Sequence, residues 1–209
     1  MNKIEFTYID NTTGIFETES DMVNLATLPN FHNIKKLKIG EGIKYIYSTD
    51  ENSFEAEELA DFEKLESVSL PNSLVVVGKG SFAFSNIKNI NIPQNVLKIE
   101  SFAFIMSNIE KVNFPCHLKT IEQYAFAYCK KLGGAHLPYS LSELGEFAFK
   151  GCTNLKSVRL PKNLQSIEKG TFEDCTNLEN VCLPTELKSI SASSFFNTPF
   201  IVNFEKQPE

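Results

Sequence analysis

The chain has 209 residues, of which 42% are hydrophobic and 22% are charged, a composition typical of ordinary globular proteins. Its net charge of −6 argues against a nucleic-acid partner, because no basic stripe is available to neutralise phosphates. No apolar run approaches the roughly 20 residues of a membrane span. Residues 1–6 lack the apolar segment of a secretory signal, so the protein either stays inside the cell or is a trimmed chain.

Residues 1–31 differ from the rest of the chain, and we expect them to form an N-terminal cap. Alternating apolar residues predict a strand over residues 4–8, and a turn then leads to a returning strand over residues 15–18. Asp21 is a candidate N-cap for a short helix that ends near Leu28.

From residue 32 onward the chain repeats itself, as residues 155–161 and 178–184 illustrate. From residue 65 onward this seven-residue phrase ends in a proline, and these prolines are 22, 22, 23, 23 and 23 residues apart: Pro71, Pro93, Pro115, Pro138, Pro161 and Pro184. A fixed period in this range indicates a solenoid, in which each short coil stacks on its neighbour. We therefore expect a solenoid of about seven coils over residues 32–204, followed by a polar tail at residues 205–209.

Each coil has a pattern that predicts its local structure. In residues 155–177 a strand turns Val158 inward between two outward residues, and Pro161 ends that strand because it has no N–H to donate. A second apolar pair follows, and Phe172 then suits a short helical turn that places its ring in the core. The expected class is α/β, with a parallel sheet on the concave face and short helical turns on the convex face.

One coil carries about eight extra residues, which lie at about residues 47–62. This insertion is acidic: it contains Asp50, Glu51, Glu55, Glu57, Glu58 and Asp61. We interpret it as a longer, solvated helix on the convex side, with Phe54, Leu59 and Phe62 packing inward. The alternative is an acidic docking knob.

The five cysteines include three that share one repeat position. Cys129, Cys152 and Cys175 lie 23 residues apart, and we expect them to be free thiols that fill one slot of the core. The two shorter coils lack this cysteine, and Phe84 and Met106 are expected to fill the space there. The chain has no C-x-x-C pair, so we expect no zinc site.

A catalytic site would need a nucleophile, a base and an orienting group that converge. Cys116 and His117 are adjacent, but neighbouring strand or loop residues tend to point apart, and we expect these two to do so. Cys182 has no base beside it in its column, although Arg159 one coil away could acidify its thiol slightly. The sequence also lacks a phosphate-binding loop, an H-E-x-x-H motif and an EF-hand pattern. We therefore expect no enzyme, no cofactor and no metal.

The outward strand residues form two columns that lack large apolar and acidic side chains. One column is Lys38, Ser69, Asn91, Asn113, His136, Arg159, Cys182 and Asn203. The other column is Lys36, Ser67, Asn89, Lys111, Gly134, Ser157 and Asn180. Because Asp and Glu outnumber Lys and Arg by 26 to 20 overall, this neutral to mildly basic face is either simply solvated or a ligand face. On the second interpretation, the partner-binding candidates are Lys36, Lys38, Asn91, Lys111, Asn113, His136, Tyr139, Arg159 and Cys182, with Tyr139 on the rim.

The repeat resembles the BspA-type leucine-rich repeat family over about residues 34–204. The matching pattern is L-x-x-[IV]-x-L-P, then L-x-x-I, then A-F-x-x-C, the last carried by Ala125-Phe126 and Cys129. The resemblance implies a curved, right-handed solenoid with a parallel sheet on its concave side. Members of this family are often surface or secreted adhesion proteins, which implies a cell-surface or secreted location.

We therefore expect a non-catalytic protein–protein interaction module that binds a macromolecule on its concave sheet face, in adhesion or host interaction. A glycan-binding adhesin is an alternative, although the two columns offer no aromatic side chain for stacking on sugars. An intracellular scaffold or effector is a further alternative, favoured by the free thiols and the missing signal. The sequence does not determine the oligomeric state.

Overall fold

The computed structural model describes residues 1–48 and 59–200, which form short strands joined by turns. The strands are β1 Asn2–Tyr8, β2 Thr13–Thr18, β3 Met22–Asn24, β4 Ile34–Ile39, β5 Tyr45–Tyr47, β6 Ser67–Ser69, β7 Val76–Val77, β8 Asn89–Asn91, β9 Lys98–Ile99, β10 Lys111–Asn113, β11 Thr120–Ile121, β12 Gly134–His136, β13 Glu143–Leu144, β14 Ser157–Arg159, β15 Ser166–Ile167, β16 Asn180–Cys182 and β17 Ser189–Ile190. Even-numbered strands from β4 onward stack in a first sheet, and odd-numbered strands from β3 onward stack in a second. Each coil therefore contributes one strand to the first sheet and one strand to the second, which confirms a solenoid of about seven coils.

Strand pairing in the first sheet aligns equivalent residues of successive coils. His136 lies opposite Arg159, and Arg159 lies opposite Cys182. Val158 is buried at 2% exposure, whereas Ser157 and Arg159 on either side of it are exposed. Because successive side chains of a strand point to opposite faces, the exposed residues on either side of each buried one line up in the two predicted columns. The hydrogen-bonded strand pairs of the first sheet form three separate groups among the described residues: β4–β6, β8–β10 and β12–β14–β16.

The core contains a column of phenylalanine rings, as the repeat predicts. Five of these rings are fully buried, and the sixth is partly buried at the last described coil: Phe82, Phe104, Phe126, Phe149, Phe172 and Phe195. Neighbouring rings are stacked, with centroids 5.0 to 5.6 Å apart. Stacking on both sides makes each ring part of a continuous core that runs through the coils.

The segments that carry these rings are turns and not the short helices that the sequence predicts. Tyr124 and Tyr128 flank Phe126 with φ angles of 55° and 59°, and a right-handed helix cannot pass through such residues. The N–H of Phe126 donates to Ala148 O in the next coil at 2.8 Å. Hydrogen bonds between coils therefore replace the bonds that a helix would make within one coil. In the described residues, the helices are two short 3₁₀ turns, Leu25–Thr27 and Phe31–Asn33, and neither is long enough to cross a membrane.

The three repeated cysteines are buried, as predicted, and each thiol donates to a backbone carbonyl. Cys129 Sγ lies 3.0 Å from Phe104 O, and Cys152 and Cys175 repeat this contact at 3.2 and 3.1 Å with the carbonyls of the next two phenylalanines. Burial raises the pKa of Cys129 to about 12 and raises the pKa of Cys152 as well. Cys129 and Cys152 are therefore neutral, and Cys175 is buried in the same core column.

The expectation for the two shorter coils is wrong. Ser85 and Ser107 occupy the buried cysteine slot there, at 0% and 2% exposure. Phe84 and Met106 precede that slot in the left-handed conformation, with φ angles of 59° and 54°. The missing residue falls after the slot, so the small serine side chains take the place of the thiols.

The first 31 residues extend both sheets. β1 and β2 form an antiparallel hairpin, and β1 also pairs antiparallel with β4, the first strand of the repeat. The helix predicted after Asp21 is wrong, because β3 forms there and pairs with β5 before a 3₁₀ turn begins at Leu25. The assignment of residues 1–31 as a cap stays a prediction.

Two other expectations lie mostly outside the described residues. Leu59 and Phe62 of the acidic insertion are buried, whereas residues 49–58 are not described. The polar tail at residues 205–209 is likewise outside the described part of the chain.

Candidate interaction surface

The exposed residues of the first sheet form one continuous surface, which we call the strand face. It consists of Lys36, Lys38, Ser67, Ser69, Asn89, Asn91, Lys111, Asn113, Gly134, His136, Ser157, Arg159, Asn180 and Cys182. All of them are exposed except Gly134, which is half-buried. The structure therefore brings eight of the nine candidate residues onto one surface, and Tyr139 lies on the adjoining turn at 69% exposure.

At its N-terminal end, the strand face meets a carboxylate that sequence reasoning missed. Glu5 of β1 pairs with Lys38 of β4, and the Lys38 ammonium lies 3.0 Å from Glu5 Oε1. The expected absence of carboxylates therefore holds for the repeat columns but not for the strand beside them. Ile15 of β2 pairs with Glu5 and is 63% exposed. This end of the surface is therefore close to neutral and partly apolar.

The middle of the strand face is neutral. Asn113 Nδ2 donates to Asn91 Oδ1 in the preceding coil, so these two amides form a short polar ladder. Lys111 pairs with Asn89 in the parallel register and is exposed. Positive charge on the strand face therefore begins at Lys111 in this coil and continues to Arg159, whereas Asn180 and Cys182 of the last strand are neutral.

The C-terminal part of the surface, which we call the basic half, contains Lys111, His136 and Arg159, together with Lys156 directly before β14. All four side chains are exposed. Among the described residues, Lys111, Lys156 and Arg159 make no ion pair. Glu110 and Glu179 occupy the same repeat position as Lys156 and are also exposed, so cations outnumber carboxylates here by three to two and the region keeps a small positive excess.

The opposite charge collects beside the second sheet. An open pocket there is lined by four carboxylates: Glu122, Glu143, Glu146 and Glu168. Lys98 Nζ lies 2.7 Å from Glu122 Oε1, and hydrogen bonds from Lys98 and Ser101 outweigh the effect of burial and lower the pKa of Glu122. The two sheets therefore present surfaces of opposite sign. Within the described residues, no cluster of His, Cys, Asp and Glu could hold a metal ion.

Cys116 and His117 lie together, contrary to expectation. Cys116 Sγ is 3.6 Å from His117 Nδ1, and it donates to Gln94 Oε1 at 3.3 Å. These residues lie within a turn that Leu118 N closes onto Pro115 O, and the alternation of a strand does not apply to a turn. The arrangement offers an exposed thiol beside an imidazole, with an amide as the third group.

The comparisons with known proteins agree with this geometry. The family model described as the BspA type leucine rich repeat region matches residues 6–133 and 98–207, with six copies. A leucine-rich repeat protein from Bacteroides ovatus is 27% identical with a TM-score of 0.75, and the match covers 94% of this chain and 48% of that one. This chain therefore spans about half the length of the Bacteroides protein. The leucine rich repeat protein of T. pallidum is 27% identical with a TM-score of 0.62, over 79% of this chain and 84% of that one. No curated protein matches the chain.

Proposed function

This chain belongs to the BspA-type leucine-rich repeat family, and from that premise we propose that it is a non-catalytic interaction module that binds an acidic protein on the strand face. Repeat solenoids of this kind present extended surfaces to macromolecules. The proposed contacts are Lys36, Asn91, Lys111, Asn113, His136, Tyr139, Arg159 and Cys182, with Lys38 at the edge.

One observation supports an acidic partner above the others. The basic half carries exposed cations without ion pairs, although the protein as a whole has a net charge of −6. Segregating positive charge in this way creates a local field that attracts an acidic partner and disfavours a basic one. Tyr139 on the rim adds an exposed aromatic anchor of the kind that is enriched at protein interfaces.

A glycan is the weaker candidate, because sugars are commonly held by aromatic side chains that stack on them. The strand face contains no aromatic residue, and Tyr139 lies beside it and not on it. An anionic glycan would still be attracted by Lys111 and Arg159, and a heparin-derived octasaccharide is therefore a second probe for binding.

Affinity capture with the immobilised protein, followed by mass spectrometry, tests the proposal. The wild-type protein is compared with a Lys111→Glu, Arg159→Glu variant, and with a Glu143→Lys, Glu146→Lys variant as the matched reversal beside the second sheet. We expect the first variant to lose the acidic partners and the second to retain them. The opposite result would place the binding surface beside the second sheet.

A further inference from the structure

Two consecutive glycines, Gly133 and Gly134, lie in the basic half, and the fold does not explain them. A Cβ atom built on Gly133 would meet nothing within 4 Å, and one built on Gly134 would lie 3.9 Å from Ser157. Neither glycine has a positive φ angle. By contrast, a Cβ on Gly145 would lie 2.5 Å from Gln123 N, so packing requires a glycine there.

Glycine at these two positions even opposes the fold. Gly134 lies in β12, and glycine inside a strand is unfavourable because it has greater freedom in the unfolded chain and no side chain to pack. Within the described residues, no strand pairing joins β12 to β10, as none joins β6 to β8, and the Gly133 N–H donates to Glu110 O of the preceding coil at 3.3 Å. A requirement other than folding therefore accounts best for the missing side chains.

The two glycines create a notch that is one coil wide. The other coils carry side chains at the same two positions: Lys88 and Asn89, Glu110 and Lys111, Lys156 and Ser157, and Glu179 and Asn180. Neighbouring strands lie about 4.8 Å apart, so the backbones of β10 and β14 lie about 10 Å apart with no side chain between them at this position. Such a gap is wide enough for a side chain of a partner, and the bare backbone allows the partner's own backbone to approach.

The charges around the notch indicate what it would receive. Lys111 flanks it on one side, Lys156 and Arg159 flank it on the other, and none of them makes an ion pair in the described part of the chain. Glu110 is the one carboxylate in the adjoining coil positions, and His136 lies at the end of β12. A carboxylate suits this setting, because a guanidinium binds it through two parallel hydrogen bonds.

We propose that the notch over Gly133 and Gly134 receives an Asp or Glu side chain from an extended acidic segment of the partner, between Lys111 and Arg159. This inference rests on the proposed function and specifies where the partner makes its closest approach. The charges supply the attraction, and the absent side chains supply the space.

Filling the notch tests the proposal without changing any charge. Gly134→Asn introduces the residue that Asn89 and Asn180 already place in this column. Ser142→Asn adds the same uncharged side chain at an exposed position beside the second sheet, outside the strand face, and is the control. The probe is a fluorescein-labelled octaglutamate peptide, and fluorescence anisotropy at physiological ionic strength gives its Kd. We expect Gly134→Asn to raise the Kd about tenfold, which corresponds to ~1.4 kcal/mol, and Ser142→Asn to change it less than about twofold. The melting temperature of Gly134→Asn should equal or exceed that of the wild type, which separates lost binding from lost folding.

Other outcomes would contradict the notch, the acidic partner or the peptide nature of the occupant. If Lys111→Glu and Arg159→Glu weaken binding of the peptide but Gly134→Asn behaves like Ser142→Asn, the notch is wrong and the proposed function stands. If neither charge reversal weakens the peptide, or the wild-type protein does not bind it, the acidic partner is wrong as well. If a heparin-derived octasaccharide, and not the peptide, shows the Gly134→Asn effect, the occupant is an anionic glycan.

Discussion

The phenylalanine column and the strand face come from the same repeat, yet the chain treats them in opposite ways. In the column, one residue type recurs from Phe82 to Phe195, and the rings stack at nearly constant spacing. On the strand face, equivalent positions hold Lys, Ser, Asn, Gly, His, Arg and Cys in turn. A buried ring must fit the rings above and below it, whereas an exposed residue meets only solvent or a partner. The column is therefore constrained by packing, whereas the residues of the strand face are free of that constraint and can vary from coil to coil.

Removing one ring from the column should have the largest effect on the molecule. Phe149→Ala deletes a fully buried side chain that stacks on Phe126 and Phe172, and it leaves a cavity between them. We expect the free energy of unfolding to fall by about 3–5 kcal/mol, measured by urea denaturation. Tyr139→Ala, which removes an exposed aromatic residue, should change it by less than about 0.5 kcal/mol. Equal effects of the two substitutions would show that the column is not the structural core.

Reversing a charge on the strand face should affect binding and leave stability unchanged. Arg159→Glu places a carboxylate among unpaired cations, so we expect the Kd for octaglutamate to rise about tenfold or more. Lys38→Glu should have a smaller effect, because Glu5 already neutralises Lys38. Anisotropy titrations give both values, and thermal melts of both variants should match the wild type. A larger effect at Lys38 would assign the binding site to the N-terminal end.

Thiol labelling distinguishes the exposed cysteines from the buried ones in a single experiment. Under native conditions, Cys116 and Cys182 should react readily with an aromatic disulfide reagent, because both are exposed. The buried thiols should react slowly, since burial raises the pKa of Cys129 to about 12 and hides the sulfur from solvent. Peptide mapping of the labelled protein identifies the order. Labelling of Cys152 before Cys182 would contradict the assigned coil register.

The proline spacing and the recurring Val and Phe positions predict most of the fold, because buried positions repeat with the coil. Three expectations are wrong, each because backbone geometry is not visible in the repeat pattern. The Phe126 segment is not helical, since its N–H bonds to the next coil. Ser107, and not Met106, fills the cysteine slot in its shorter coil. The residue that this coil lacks falls after the slot, and only the backbone conformation shows where it is missing. Strand alternation could not predict that Cys116 meets His117, because a turn joins them.

The candidate site is predictable in its columns but not at its edges. Two-residue alternation identifies the outward residues, and the register aligns them across coils. Glu5 is missed because the antiparallel pairing of β1 with β4 is a contact between distant parts of the chain that follows no repeat. Gly134 lies in a predicted column, but the sequence does not show that the space where its side chain would be is empty. That space is visible only in the folded structure.

The smallest predicted effect tests whether Glu5 limits the reach of the basic surface. Glu5→Gln removes the carboxylate beside Lys38 and leaves both side chains exposed, as they are now. Exposed ion pairs contribute at most about 1 kcal/mol, so the free energy of unfolding should change by less than about 0.5 kcal/mol. With Lys38 released, the positive field should extend from Arg159 to β4, and octaglutamate should bind about two- to threefold more tightly through faster association. Glu146→Gln removes the same charge beside the second sheet and is the matched control. If both variants tighten binding equally, net charge alone drives association; if only Glu5→Gln does so, the strand face acts as one surface whose N-terminal end is held neutral by a residue outside the repeat.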